Sequence, residues 1–322
     1  MLKITKNNYL CKEHYKHIKN AKHIKNTIKR ILRDGGLYKK DAGRMTLNSL
    51  SDTDIQFLDK LNKNNFLQSI ICIEPENISS FLQSTMITYP DIYNDSTLLY
   101  KCIYNIFVDH GYNKSVNLNK YEFIKNIGLG SCPYCNRSYI YTLDRNTNIK
   151  PEIDHFYPKD LYPILALSYY NLIPSCPTCN GLGAKSNKDT YRLNLKSPYL
   201  IESDDFKFNF KIKTLNILNP LTNIDKDSVE IFLENQILNH SNVFGLEELY
   251  KEHSDIVIEL YIKAKHQYVR KYVDYLRSYN GLTFSEDEIY RLITSGYNSE
   301  DEYHKRPLSK LIKDISDELG LI

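Results

Sequence analysis

The residues best equipped for chemistry lie between Cys132 and Asn180. Cys132 and Cys135 form one Cys-x-x-Cys pair, and Cys176 and Cys179 form a second, with forty residues between the pairs. A two-residue spacer lets both sulfurs of a pair point into one tetrahedral site, with the amides of the tight turn facing the thiolates. Pro133 and Pro177 each follow the first cysteine of a pair and stiffen the two turns alike. Together the pairs predict a Zn²⁺ held by four sulfurs, a closed and therefore structural site. A thiol redox motif would explain one pair but not two. Between the pairs stand Asp154-His155 and Asn171, and Asn180 directly follows the last cysteine. A carboxylate and an amide oxygen are hard donors that suit Mg²⁺, whose remaining ligands are waters and phosphate oxygens. A neutral histidine beside them can take a proton from water near pH 7, and a bound cation neutralises charge on a leaving oxygen. That combination is what hydrolysis of a phosphodiester requires.

The elements expected to position these groups follow from local pattern. Tyr139 to Leu143 reads as a strand, followed by Asp-His, a loop rich in Pro and Tyr, and a short second strand at Asn171-Leu-Ile-Pro. Asn180 then opens a helix expected to run towards Arg192. The cysteine pairs clamp the two ends of this unit.

In this order the residues resemble the ββα-metal fingerprint of HNH endonucleases: Asp154-His155, Asn171 and Asn180, framed by the CxxC…CxxC zinc site many of them carry. The likeness covers Gly128 to Pro198, and the step of nine from Asn171 to Asn180 is similar to that in the HNH domains of RNA-guided CRISPR effectors. The resemblance implies that His155 is the general base and that Asp154 and Asn180 hold one catalytic Mg²⁺ (or Mn²⁺). It implies that Asn171 pins the loop between the strands and so holds His155 in place. Asn180 stands where other members carry His, which favours Mg²⁺ over a softer metal. Lys185 falls where a contact to substrate phosphate would be useful. The wording EIDHFYPKDLYPILALSYYNLIPSCPTCN also resembles HNH proteins of prokaryotic anti-phage systems, such as the nuclease subunit of Septu-type systems. That likeness implies DNA as substrate and an ATPase partner subunit. Two other functions fit the same motifs: a non-catalytic zinc-knuckle module that binds nucleic acid or protein, and a toxin-like RNase.

The rest of the chain sets the frame. Its 322 residues are enough for one large or two modest domains. No apolar run is long enough to span a bilayer and the N-terminus has no signal-peptide pattern, so a cytoplasmic protein without membrane contact is expected. Seven cysteines, four of them in close pairs, fit a metal site in a reducing compartment better than a disulfide framework. The net charge of +3 hides an asymmetry, because residues 1–44 hold thirteen Lys/Arg against three Asp/Glu. Such an arm favours an anionic partner such as nucleic acid, although lysines stepping at threes and fours also describe the solvated face of a helix. There is no P-loop and no G-x-S-x-G, so ATP hydrolysis and serine-esterase chemistry have no support.

Helices are expected over Ile18–Arg33, Leu47–Phe66, Ile78–Met86 and Ser96–His110, and either two helices or one long one over Phe244–Ser278. Alternation at Phe206–Ile212 and Val229–Leu233 predicts two strands paired around Asn219-Pro220. The fold class is therefore α+β, mostly helical, with a central ββα-metal core. The expected divisions are a basic helical arm (1–48), a helical region (49–125), the zinc-stabilised core (126–198) and a hairpin-plus-helix region (199–322).

Overall fold

The computed structural model describes all residues except 42–43, 115–117, 144–148, 215–225, 235–237, 266, 280 and 322. It begins with the basic arm, where isoleucines at helical spacing build α1 (Asn8–Ala21) and α2 (His23–Asp34). The single helix expected from Ile18 to Arg33 is broken at Lys22, which takes a left-handed conformation (φ 61°) and caps α1 through its amide. Ile24, Ile28 and Ile31 are nevertheless buried on one stripe, and Gly35 closes α2 with φ 69°. A hairpin follows, β1 (Gly36–Asp41) against β2 (Arg44–Ser49), antiparallel with Gly36 opposite Ser49. Gly36 is needed there, since a Cβ would lie 1.9 Å from the Asn48 carbonyl oxygen. The helix expected from Leu47 therefore starts only at Ser51, whose side chain forms a capping box with Asp54.

From that cap run α3 (Asp52–Asn62), α4 (Asn64–Ile71) and α5 (Pro75–Thr88), then α6 (Leu98–Tyr104). The last passes directly into a π-helical stretch, Asn105–Tyr112. Such stretches are rare and often mark functional positions. This one ends on Tyr112, which stands against His155. Helix α7 (Lys120–Ile127), capped by Asn119, leads into the cysteine-rich segment.

That segment is built on a two-stranded antiparallel hairpin, β3 (Glu152–His155) with β4 (Leu172–Ser175), in which Asp154 faces Ile173 and His155 faces Leu172. A single turn of helix, α8 (Pro177–Asn180), follows. Two expectations change here. Tyr139–Leu143 forms one isolated bridge, Tyr139 with Ser131, and no strand. Residues 181–194 run as turns, so the helix expected to open at Asn180 ends there instead. Further on, β5 (Phe208–Ile212) pairs antiparallel with β6 (Val229–Leu233), as their alternation predicts. The Asn219-Pro220 turn lies outside the described residues. After α9 (Leu238–Phe244), the segment expected to form two helices or one long one carries α10 (Leu246–Lys251), α11 (Ser254–Lys265) and α12 (Gln267–Ser278). Gly245, at φ 60°, makes the break between α9 and α10. Helices α13 (Glu286–Thr294) and α14 (Ser309–Glu318) complete the chain.

The protein is thus α+β and mostly helical, with three small antiparallel hairpins among the described residues. One apolar core runs from the first helices to the last and includes the four cysteines of the central segment. Among the described residues no helix is long and apolar enough to cross a membrane.

Candidate metal centre and active site

Cys132, Cys135, Cys176 and Cys179 come together with their ligand atoms within 4.8 Å of one another, all four buried. Tetrahedral Zn–S bonds of ~2.3 Å put sulfurs roughly 3.8 Å apart, and the Cys135 and Cys176 sulfurs are 4.0 Å apart. The Arg137 amide donates to the Cys135 Sγ at 3.3 Å and the Cys176 amide to the Cys132 Sγ at 3.4 Å. Such donors are what thiolates need. Burial pushes the Cys132 thiol well above its ordinary range, so four thiolates would require a cation to coexist there. Geometry and donor chemistry both fit a structural metal such as zinc.

Each knuckle of this centre also supplies a group that holds Asp154. Tyr134, inside the first Cys-x-x-Cys, donates its hydroxyl to Asp154 Oδ2 at 2.5 Å while its ring stacks on Phe244. Lys185 follows the second pair, with its amide bonded to the Cys179 carbonyl at 3.1 Å. Its ammonium donates to Asp154 Oδ1 at 2.8 Å and to the His155 carbonyl at 2.6 Å. Lys185 is fully buried. The ammonium expected to contact substrate phosphate is thus engaged with Asp154 and the His155 carbonyl in this structure.

His155 is 7% exposed, and its Nε2 lies 3.0 Å from the Ala166 carbonyl. A carbonyl only accepts, so Nε2 carries the proton and Nδ1 keeps a free lone pair. Nδ1 has no hydrogen-bond partner among the described residues. Burial lowers the imidazole pKa to about 3, with Lys159, Lys185 and Lys120 pushing the same way against the Ala166 bond. The ring is neutral at physiological pH. Tyr112 packs edge-on against it at 4.4 Å, and the Lys120 ammonium sits 4.0 Å above the Tyr112 ring.

The loop between β3 and β4 is pinned to its neighbours one carbonyl at a time. Asn171 is fully buried; its Oδ1 accepts the Tyr157 amide at 2.7 Å and its Nδ2 donates to the Tyr157 and Leu165 carbonyls. His155 takes the next carbonyl, Ala166, and His14 of α1 takes Leu167 at 2.9 Å. Three successive carbonyls are thus held by three side chains. Gly111, at the end of the π-helical stretch, allows this loop to come close: a Cβ there would lie 2.8 Å from Leu167 Cδ1. Sequence reasoning placed His14 only within the basic arm and missed its contact with the loop, since nothing local links positions so far apart.

Asn180 is partly exposed at the end of α8 and donates its amide to Glu152 Oε2 at 2.7 Å. Glu152 and Asp154 are two residues apart on β3 and so share a face. The hard donors therefore collect on one side of the hairpin, with Glu152 added to those expected from sequence. His240 and His253 play no part here. The first lies against the Lys196 backbone and the second accepts from Arg137 Nε.

No protein-family profile and no solved structure matches the chain. Over 50 residues the sequence is 44% identical to the Septu protein PtuB of Bacillus thuringiensis. That stretch is 16% of this chain and 18% of the relative, so the likeness is local.

Proposed function

We propose that the chain is a zinc-stabilised HNH-type endonuclease that hydrolyses phosphodiester bonds in DNA. The observation that supports this most strongly is His155: a buried, neutral imidazole whose Nε2–H is tied to the Ala166 carbonyl, leaving Nδ1 to accept a proton. In this reading Nδ1 takes the proton of a water that attacks phosphorus. The P–O3′ bond breaks, leaving a 5′-phosphate and a 3′-hydroxyl. Asn171 holds the loop that orients His155, and Lys120 and Lys159 place positive charge beside it for the phosphate.

Asp154 and Asn180, with Glu152 on the same face, are hard oxygen donors of the kind Mg²⁺ or Mn²⁺ takes. The fit is in donor type and placement, and the Lys185 ammonium would have to give up part of its hold on Asp154. When bound, such an ion would neutralise charge on the leaving oxygen. The local likeness to a Septu protein supports a role in anti-phage defence, beside a partner subunit such as an ATPase.

One observation favours the alternative, a non-catalytic zinc-knuckle module: both Asp154 oxygens are already satisfied, by Lys185 and Tyr134. Supercoiled plasmid and a structured RNA, each incubated with the zinc-loaded protein and Mg²⁺, separate the readings. Nicking of the plasmid with 5′-phosphate ends is expected. Cleavage of RNA alone would move the assignment to the toxin-like RNase, and binding without any cleavage, with and without a candidate partner subunit, would favour the module.

A further inference from the structure

Next to the zinc knuckle, and not used by the site above, lies a surface of stacked tyrosines and cations. Tyr139 and Tyr141 are 49% and 53% exposed, yet their rings stack on each other at 4.7 Å and 21°. Two large aromatic faces held parallel in solvent gain little from folding, because neither is removed from water by a core. Tyr297 lies near them with three cations around its ring: Arg291 at 5.3 Å, Arg306 at 5.6 Å and Lys305 at 5.7 Å. Arg306 and Tyr297 are close enough to Tyr141 to act on its hydroxyl.

The two parts are fixed together through the first knuckle. Asn136, fully buried, donates to the Tyr303 and Arg306 carbonyls, and its own carbonyl accepts the Leu308 amide at 2.5 Å. The Gly130 amide meets His304 Nδ1 at 3.3 Å. Lys305 is paired with Glu302 and Arg291 lies near Glu288, while Arg306 Nη1 is bonded to the Ser295 carbonyl and has no carboxylate ion pair among the described residues. The other acids of that turn, Glu300 and Asp301, lie towards Lys3.

We propose that Tyr139, Tyr141 and Tyr297, with Arg291, Lys305 and Arg306, form a binding site for unpaired nucleotides of a single-stranded nucleic acid. Flat rings offer stacking to any base, and the cations take the backbone phosphates. A duplex keeps its base faces inside its own stack and cannot use the rings. The site deepens the nuclease reading by naming a substrate class, single-stranded or locally unpaired, and it rests on nucleic acid being the ligand but not on cleavage.

The test uses the full chain, zinc-loaded, with His155→Ala in every sample so that nothing is cut. Fluorescence anisotropy is followed with labelled dT12, rU12 and a 12-base-pair duplex at two salt concentrations. Both single strands are expected to bind tighter than the duplex, with any preference between dT12 and rU12 telling DNA from RNA. Tyr139→Ala/Tyr141→Ala is expected to weaken single-strand binding about tenfold or more, in line with loss of base stacking, and to leave duplex binding unchanged. Tyr139→Phe/Tyr141→Phe should bind as the parent does. Arg306→Gln should lower affinity and shallow the salt dependence by about one phosphate contact. If the alanine pair loses melting temperature, the phenylalanine pair and Arg306→Gln decide. Single strands that fail to bind, or that bind the alanine pair as well as the parent, overturn the proposal. Tyrosine-dependent binding by a protein whose unsubstituted form never cuts would leave this site standing and remove only the nuclease reading.

Discussion

Asp154 is where the chemistry and the packing compete most directly. Lys185 and Tyr134 satisfy both of its oxygens inside a buried pocket, and Lys185 itself is fully buried. Removing one member of a buried ion pair leaves the other uncompensated, at a cost of ~3–5 kcal/mol. Lys185→Met is therefore expected to lower the melting temperature by roughly 5 °C in zinc-loaded protein free of other divalent ions. If Asp154 is a Mg²⁺ ligand, millimolar Mg²⁺ then supplies the missing positive charge and restores part of that loss, with a smaller effect on the unsubstituted protein. A melting temperature of the Lys185→Met variant that ignores Mg²⁺ would argue against Asp154 as a ligand. His155 differs from Asp154 in having one ring nitrogen spoken for and one free, so its burial serves to keep it neutral. Burial also weakens it as a base; an anionic phosphate in the pocket would raise its proton affinity.

At the level of elements, the two Cys-x-x-Cys turns do more than close a loop. The first carries Tyr134 to Asp154 and, through Asn136, the backbone of 303–310; the second carries Lys185. Metal-binding free energy at such a centre is folding free energy. Cys176→Ser is accordingly expected to unfold the site and to lower the melting temperature by about 5 °C or more. Amide exchange should rise in 130–136 and 303–310 together. A variant that keeps both its zinc and its melting temperature would show that the four sulfurs are not the anchor. The four-sulfur cluster was legible from spacing alone, because each Cys-x-x-Cys turn is defined by near neighbours, whereas Asp154-His155 and Asn171 were singled out by the resemblance. What was not legible depends on direction. The Lys185–Asp154 pair could not be read from sequence, because it depends on the turns that 181–192 adopt in place of the expected helix. His14, Tyr112 and Lys120 reach the site through helix packing that no local pattern encodes. The break at Lys22 has no sequence signal, since a left-handed lysine is held by tertiary contacts.

For the molecule as a whole, buried neutral histidines set the response to acid. Burial lowers His14 and His240 to about 4, and His110 and His304 shift the same way for the same first cause. In the unfolded chain these rings titrate near 6.5, so below that pH the unfolded state binds more protons than the folded one. Their contribution to stability is therefore full above pH ~6.5 and falls as pH drops towards about 4, at up to ~1.4 kcal/mol per pH unit for each fully shifted histidine. A melting temperature that declines gently from pH 8, where the buried Met1 ammonium (lowered to about 4) begins to matter, and steeply from 6.5 to 5 is expected. A flat profile down to pH 5 would contradict the buried, neutral state of these rings. The charge asymmetry persists in the structure. Lysines on the open faces of α1 and α2 are largely exposed, although Lys3, Lys6 and Lys16 pair with Glu202, Glu76 and Glu13. The basic arm is thus partly neutralised by the body it packs on.

The central claim is that His155 is the base of a phosphodiester hydrolase, and plasmid nicking by matched zinc-loaded samples of the protein and its His155→Ala variant tests it most directly. With Mg²⁺ present, the account predicts nicking by the first and a loss of at least ~100-fold in the second, with DNA affinity retained. A His155→Ala variant that nicks at the parental rate would contradict it.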